Sequence, residues 1–476
     1  MMASSPQLDS ALSIVATLRE RGYEAYFAGG CVRDLLLGRD PADYDIATSA
    51  TPDIVLDMFP RTFAVGAHFG VVLVAAAPEN SSEELAPPQV AQVVTEVATF
   101  RSDGVYSDSR HPDEVRYTLS AAEDVQRRDF TINGLLLDPL QGRGPLDECF
   151  DDLKTLRDAV VDHVGGLADL EAGVVRAIGQ PARRFREDQL RLLRAVRFAA
   201  RFGFGIEPVT FAAIRALAPK IHSVSRERVR DELTKMLTEG NARRAFELLD
   251  ETGLLAEVLP EVLRMKGVAQ PPQFHPEGDV WVHTLLLLEQ LPPGCSLALA
   301  WGALLHDGGK PPTFRVAPDR IRFDNHVEVG VAIGAEICHR LRFSNDDTHQ
   351  ILALIQNHMR FADAPQMKNS TLKRFFRLDR FDEHLALHRM DCLAAHGNLD
   401  IFDFVRDRYE ATPEEAVRPT PLLTGRDLIA AGYSPGPQFH EMLQAIEDAQ
   451  LEGGIATANE ALALVRQRFG SASVRE

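Results

Sequence analysis

The rhythm of apolar positions changes along the chain. From Leu8 to Arg21, apolar residues fall at Leu12, Ile14, Val15 and Leu18, one face of a helix, and Gly22 supplies the stop. Tyr23–Ala28 then reads as a short strand. Gly29-Gly30 reads as a turn into a helix over Val32–Leu37. Asp43–Ala47, Gly70–Ala76 and Val90–Phe100 read as further strands, and Pro78–Pro88, rich in Pro, Ser and Glu, as an exposed loop between the last two. Short strands and helices mixed in this way predict an α/β head of about 165 residues.

From about Glu171 the rhythm is helical. Asp188–Phe202 carries Leu190, Leu192, Leu193, Val196 and Phe198 with arginines between them. Helix signals continue at Pro208–Ala218, Ser225–Leu237 and Ala242–Leu249. The proline-containing stretch Leu255–Pro276 reads as a linker. A second helical unit runs from about Val280 to Tyr409, and a small helical tail follows the Pro-rich turn at Pro413–Pro421. No internal repeat or long low-complexity run interrupts this order.

Composition changes the picture in one respect. The 476 residues suggest about three domains, and 45% hydrophobic with 25% charged residues excludes disorder across the chain. The formal charge is 51 − 69 = −18, which argues against a general polyanion binder. That charge is uneven. Between Arg176 and Arg244 there are 16 Lys or Arg and 7 Asp or Glu, a balance of 16 − 7 = +9, which leaves −18 − 9 = −27 elsewhere. The basic stretch is where a nucleic acid would lie. Five scattered cysteines, Cys31, Cys149, Cys295, Cys338 and Cys392, suit reduced thiols in a cytoplasmic protein. Met1–Ser10 shows no signal peptide, and the longest apolar run, Leu297–Leu305, is too short to span a bilayer. No membrane association is expected.

Four segments carry candidate chemistry. In Ala28-Gly29-Gly30-Cys31-Val32-Arg33-Asp34, two glycines let backbone N–H groups approach phosphates, a helix N-terminus adds positive potential, and Arg33 can reach a phosphate oxygen. In Asp43-Tyr44-Asp45, two carboxylates at i and i+2 of a strand share one face and can hold Mg²⁺. Arg127-Arg128-Asp129, entering Phe130-Thr131-Ile132-Asn133-Gly134, suits phosphate or sugar recognition, or alternatively a helix start capped by Asp129. The fourth is Glu187-Asp188 followed by Arg191, Arg194 and Arg197, three residues apart on roughly one helical face. An Asp and an Arg presented together can accept from and donate to a base edge.

Together these wordings, GGCVRD, DYD, RRDFTING and EDQLRLLRAVRF, resemble the class II tRNA nucleotidyltransferase and bacterial poly(A) polymerase family of the DNA polymerase beta-like superfamily, over about residues 20–260. The resemblance implies an α+β protein: a polymerase beta-like head with a small mixed sheet (residues 1–170), then an all-α neck (171–265), an HD domain (266–410) and a helical tail (411–476). It implies that Asp43 and Asp45 bind Mg²⁺. Gly29, Gly30, Arg33, Arg128 and Asp129 would meet the nucleotide. Asp188 and Arg191 would read the base of CTP or ATP, with Glu187 beside them in the nucleotide site, and Arg194 and Arg197 would assist at the phosphates or hold that helix. Phe100–Pro112 looks like the family's flexible loop, and Asp162–Gly166 with Asp169-Leu170 like its hinge motif. Gly142–Ala159 departs from the family as an insertion, and the Pro78–Pro88 loop looks longer than usual.

A second set of residues lies further on. His283 falls on a helix signal, Val282–Leu288; His306-Asp307 precedes Gly308-Gly309-Lys310-Pro311; Asp391 falls on a later helix. Two imidazoles and two carboxylates from separate helices suit one divalent metal, and His326 and His358 extend the set to a second. The string resembles the HD phosphohydrolase signature, in which the residue at Gly308 is more often apolar.

The expected activity is addition of CMP and AMP from CTP and ATP to a tRNA 3′ end, with tRNA as partner and pyrophosphate released. The alternatives are poly(A) synthesis or partial CC or A addition on the same fold, phosphohydrolysis by the HD unit as the main activity, and RNA binding without turnover.

Overall fold

The computed structural model describes residues 5–63, 70–75, 93–103, 115–141 and 153–470. The Pro78–Pro88 loop, Cys149, most of the Phe100–Pro112 loop and the start of the 142–159 insertion lie outside them. The chain divides into two compact units, Met1–Met236 with Arg244–Val258, and Leu237–Arg243 with Leu259–Glu476.

The first unit opens with α1 (Pro6–Glu20), whose buried face is Leu8, Ala11, Leu12, Ile14, Val15 and Leu18. Ser5 caps it by accepting from the Leu8 N–H, and Pro6 occupies its first turn, where no N–H is required. Then follow β1 (Ala25–Ala28), α2 (Gly30–Leu36), β2 (Ile46–Thr48), α3 (Pro52–Met58), β3 (Thr62–Phe63), β4 (Val71–Ala75), β5 (Val94–Thr99), β6 (Arg101–Asp103), β7 (Val115–Tyr117), α4 (Ala121–Gln126), β8 (Leu135–Leu137), α5 (Leu153–Asp158), β9 (Val160–Asp162) and α6 (Gly166–Glu171). Seven strands form one mixed sheet in the order β3-β4-β5-β2-β1-β8-β9, in which only β2 and β5 pair in parallel. This is the small mixed sheet of an α+β head.

Two sequence expectations need adjusting here. The strand expected at Asp43–Ala47 begins only at Ile46, so Asp43 and Asp45 sit on the extended lead-in to β2. The lead-in is nonetheless tied to the sheet, because the Ala28 N–H donates to the Asp45 carbonyl at 2.9 Å. The helix expected from Asp188 begins at Leu190. Asp188 itself is extended (φ −145°, ψ 107°) and breaks α7 (Pro181–Glu187) from α8 (Leu190–Phe202). A short parallel pair, Val174–Val175 with Gly205–Ile206, flanks these helices. The neck continues through α9 (Pro208–Leu217), α10 (Arg226–Thr238), α11 (Ala242–Glu251) and α12 (Leu254–Val258).

The expected linker Leu255–Pro276 is packed structure instead. Leu255 and Val258 are buried in the first unit, and Leu259, Val262 and Met265 are buried in the second, around α13 (Pro260–Leu263). The apolar residues between the prolines outweigh the prolines as a signal: Pro260 sits in the first turn of α13, where it interrupts nothing. The second unit then adds α14 (Val280–Glu289), α15 (Leu297–Leu305), α16 (Lys310–Thr313), a hairpin of Phe314–Val316 with Ile321–Phe323, α17 (His326–Arg340), α18 (Asn345–Asn357), α19 (Asn369–Phe375), α20 (Phe381–Ala394) and α21 (Asp400–Glu410). The tail helices Glu414–Val417, Gly425–Ala430, Gln438–Glu452 and Ala458–Phe469 close around Leu423, Leu428, Tyr433, Met442, Ile446 and Val465. They dock on α19, where Arg374 pairs with Glu447 at 2.6 Å and Lys373 donates to the Leu451 carbonyl at 2.7 Å. Among the described residues, no helix is long and apolar enough to cross a membrane.

Candidate active site and metal centre

The head site forms where β1 runs into α2. Gly29 holds φ 74°, a conformation that disfavours any side chain, and a Cβ there would stand 3.0 Å from Nη1 of Arg128. Both reasons exclude other residues at the turn. Arg128 is anchored by Asp124, whose Oδ2 accepts from its Nε and Nη2. Its charge is felt at Asp45, whose carboxyl is nevertheless pushed up to about 7 by burial and by the negative charges of Glu96 and Asp43. Glu96 is itself raised, first by burial and then by Asp43. Sequence reading missed Glu96. Its signal is positional: β5 pairs in parallel with β2 in the register Ile46↔Val97, which sets Glu96 beside the lead-in that carries Asp45. Asp45 and Glu96 are raised in part by the charge of Asp43 beside them, a repulsion that a divalent cation would relieve.

Arg33 does not stand open to a phosphate. It is 4% exposed, bonds Asp34 and Asn133, and lies over the Phe202 and Phe198 rings at 4.5 and 5.3 Å. It braces the glycine turn against the neck. Asp129 is likewise occupied: Oδ1 accepts from the Phe130 N–H and from Asn133 Nδ2, and Oδ2 from Arg194 at 2.8 and 2.6 Å. Arg197 is buried against Glu232 at 2.7 Å. Arg33 and Asp129 are thus joined to protein partners and tie α8 to the head, while Arg197 ties α8 to α10.

The base-reading candidates stay together at the start of α8. Arg191 donates to Glu187 at 3.1 Å and to the Arg127 carbonyl at 3.2 Å. Asp188 accepts from the Leu190 N–H at 3.0 Å and from Arg228 of α10 at 2.9 Å. Arg228 is a second partner that spacing within one helix does not reveal. The hinge motif also assembles. Asp162 accepts from the N–H groups of Val164, Gly166 and Leu167, and Asp169 accepts from Thr131 Oγ1 at 2.7 Å and from Arg176.

In the second unit, His283, His306, Asp307, His326, His358 and Asp391 are brought together from five segments. His283 Nε2 lies 3.0 Å from Asp391, and Asp307 lies 3.3 Å from His306 Nε2 and 3.9 Å from His358 Nε2. Three ligand groups result, His283–His306–Asp391, Asp307–His326–His358 and, beside the first, His275–Glu277–His283. The Nδ1 atoms of His306, His326 and His358 face main-chain carbonyls of Ala303, Phe323 and Ile355 at 2.9, 2.9 and 2.6 Å. Their Nε2 atoms are buried without a hydrogen-bond partner. Buried polar atoms left unmatched are costly, and ring nitrogens fixed on one side and bare on the other fit metal ligands. Lys310 donates to Asp307 at 2.7 Å and to Gln270 at 2.6 Å, so the segment read as a linker braces this centre.

The two glycines of the HD string differ. A Cβ on Gly309 would lie 1.9 Å from the His326 carbonyl oxygen, whereas on Gly308 its nearest neighbour would be the Leu305 oxygen at 3.1 Å. Gly309→Ala is expected to lower stability by about 1–3 kcal/mol and to displace His326. Gly308→Ala is expected to stay within about 1 kcal/mol of the parent. Paired chemical melts with metal analysis of both variants check this.

Three family models match the chain: "Poly A polymerase head domain" over residues 25–176, "Probable RNA and SrmB- binding site of polymerase A" over 203–265, and "tRNA nucleotidyltransferase domain 2" over 330–465. The CCA-adding enzyme of Geobacillus thermodenitrificans is 41% identical over 249 residues, 52% of this chain and 54% of that relative, so the chain matches about half the length of such curated relatives. The CCA-adding enzyme of Levilactobacillus brevis is 30% identical over 459 residues, 96% of each chain. The solved Bacillus stearothermophilus CCA-adding enzyme in complex with CTP superposes with a TM-score of 0.71 at 26% identity, covering 98% of both chains. By these similarities along its length, and by the carboxylate head joined to an arginine-bearing neck helix, the chain belongs to the CCA-adding enzyme family.

Proposed function

We propose that this protein adds CMP and AMP to the 3′ end of tRNA, using CTP and ATP and releasing pyrophosphate. The observation that supports the proposal is that Asp43, Asp45 and Glu96 stand together on the head while Asp188 and Arg191 stand at the start of α8, which the Asp129–Arg194 pair at 2.6 Å ties to the RRDFTING segment. A relative of 26% identity solved with CTP supports the same nucleotide class.

Asp43 and Asp45, with Glu96 beside them, would hold Mg²⁺. When bound, that ion supplies charge neutralisation for the triphosphate and a lower pKa for the attacking ribose hydroxyl. The remaining work is positioning. The Gly30 N–H and the Arg128 guanidinium would face the phosphates, while the Gly29 N–H, donated to the Leu135 carbonyl at 3.0 Å, ties the turn to the sheet and Arg33 holds it rigid. Asp188 accepts from the exocyclic amino group that cytosine and adenine share, and Arg191 donates to the base edge. UTP and GTP are rejected because they leave one of these groups unpaired. The basic stretch from Arg176 to Arg244 takes the tRNA, so binding weakens as salt rises. We retain the four-part division at about residues 170, 265 and 410. We also retain a cytoplasmic setting, in keeping with Cys31, Cys295, Cys338 and Cys392 being free.

The test is product length on tRNA ending before, within and just short of the CCA sequence, supplied with single labelled nucleotides. Three additions in the order C, C, A are expected. A long A tract identifies a poly(A) polymerase, and stalling after two cytidines a CC-adding enzyme. If labelled CTP is never incorporated, the proposal fails.

One observation favours a second activity beside the first. The unmatched Nε2 atoms of the HD centre, with Asp307 and Asp391, would hold divalent metal, which would supply the Lewis acid for phosphate ester hydrolysis. Hydrolysis of a chromogenic phosphodiester that survives Asp45→Asn but not Asp307→Ala is expected.

A further inference from the structure

The four imidazoles of the HD centre are not held alike. Three of them, His306, His326 and His358, turn Nδ1 to a neutral main-chain carbonyl. His283 instead has a carboxylate beside its Nδ1, Glu277 Oε1 at 2.7 Å, an ion-pair contact, and both of its ring nitrogens are buried without a matched hydrogen bond. The side chains of both are at most 5% exposed. The same oxygen lies 2.9 Å from Nδ1 of His275, whose ring meets the His283 ring edge-on at 4.9 Å. Glu277 is fixed from its own side as well. The Gly278 N–H donates to the His275 carbonyl and the Gln270 N–H to the Gly278 carbonyl, each at 3.0 Å, and Gln270 in turn accepts from Lys310. The turn carrying Glu277 is therefore fastened to the residue that pairs with Asp307.

We infer that Glu277 is a positioning residue that makes the His283–His306–Asp391 half of the centre the tighter of two unequal metal positions, leaving Asp307–His326–His358 the weaker. The inference rests on the metal-centre reading above. A carboxylate on the far nitrogen fixes the imidazole's tautomer and ring orientation, and it makes the coordinating nitrogen more electron-rich than a neutral carbonyl does. His283 therefore offers Nε2 as a stronger donor, beside the charged Asp391 at 3.0 Å. The other half draws its two imidazoles from carbonyl-bound histidines, and its carboxylate, Asp307, is already paired with Lys310 at 2.7 Å.

The full-length protein, stripped of metal, is loaded with Mn²⁺ and followed by calorimetry and by the electron paramagnetic resonance of free and bound ion. Two classes of site are expected in the parent HD centre. Glu277→Gln keeps size and removes the charge; it is expected to weaken the tighter class by about 10- to 100-fold and to spare the weaker. Glu277→Asp is expected to restore part of that loss, and His326→Ala to abolish the weaker class alone. An unchanged tight class in Glu277→Gln, or equal weakening of both classes in a variant with parental circular dichroism, overturns the inference. If Glu277→Gln does not fold, the Asp variant decides by the same measure. Two equal classes in the parent overturn it as well. Failure of the parent to retain any Mn²⁺ when Asp43 and Asp45 are both replaced by Asn overturns the metal-centre reading itself.

Discussion

Asp45→Asn is expected to lower nucleotide incorporation on the order of a thousandfold, about 4 kcal/mol of barrier, while the metal-free protein melts at a higher temperature than its parent. The two effects share one cause. Asp45 is largely buried beside Glu96 and Asp43, and its carboxyl is raised to about 7 from an ordinary 3.8. A carboxyl raised in the folded state opposes folding. The opposition is absent below about pH 4, grows as pH rises, and is complete above about pH 7. Asparagine removes the charge and with it the penalty, so the stability gain is expected at pH 8 and not at pH 4. It also removes an oxygen charge that a cation requires. Mg²⁺ is therefore expected to raise the melting temperature of the parent at pH 8 and to leave the variant nearly unmoved. Thermal melts at both pH values, with and without Mg²⁺, alongside single-turnover CTP incorporation, check the set. A variant that loses stability while keeping its rate contradicts the assignment.

That site was legible where chemistry is local in sequence. The glycine turn, the Asp43–Asp45 pair and the arginines of α8 are compact strings whose residue types restrict what they can do. Glu96 was not legible, because its place depends on a parallel strand pairing across almost fifty residues. Arg228 and Glu277 were hidden for the same reason: each acts on a residue of another segment. Arg33 and Asp129 were expected on the nucleotide, and Arg197 at the phosphates or holding its helix, and the structure gives all three protein partners that the motif strings do not reveal. A charged residue in a phosphate-like motif reads as a ligand contact, yet all three are buried and matched by protein partners. The stretch Leu255–Pro276 misled because proline was weighed above the leucines and valines around it. Only the structure shows that those apolar residues pack against both compact units' own cores.

Asp129→Ala shows what such a matched charge contributes. Asp129 is 8% exposed, and its four donors are the Phe130 N–H, Asn133 and the Nε and Nη2 of Arg194. Burial alone would raise its carboxyl; Arg194 and the hydrogen bond from Asn133 overcome that and hold it at about 2. A carboxyl depressed in the folded state adds stability that is fully present above about pH 4 and is lost as pH falls towards 2, worth about 2 kcal/mol. Alanine removes this and strands the Arg194 guanidinium. Because Arg194 is a third exposed and keeps Glu232 and Asp188 nearby, the expected cost is about 2–3 kcal/mol at pH 7. Asp129→Asn keeps one acceptor and is expected to cost less, with a flat profile between pH 2 and 4. Adding Arg194→Met to Asp129→Ala is expected to cost less than the two changes summed, since the stranded charge is gone. The pair ties the RRDFTING segment to α8, and α8 carries Asp188 and Arg191 at its start. Its loss is therefore expected to raise the KM for CTP and to blur the choice between CTP and UTP even at temperatures where the variant stays folded. Denaturant unfolding against pH, with misincorporation measured on the folded variants, separates these outcomes. A full-strength Asp129→Ala enzyme with parental stability would mean that α8 is held to the head by its apolar face alone.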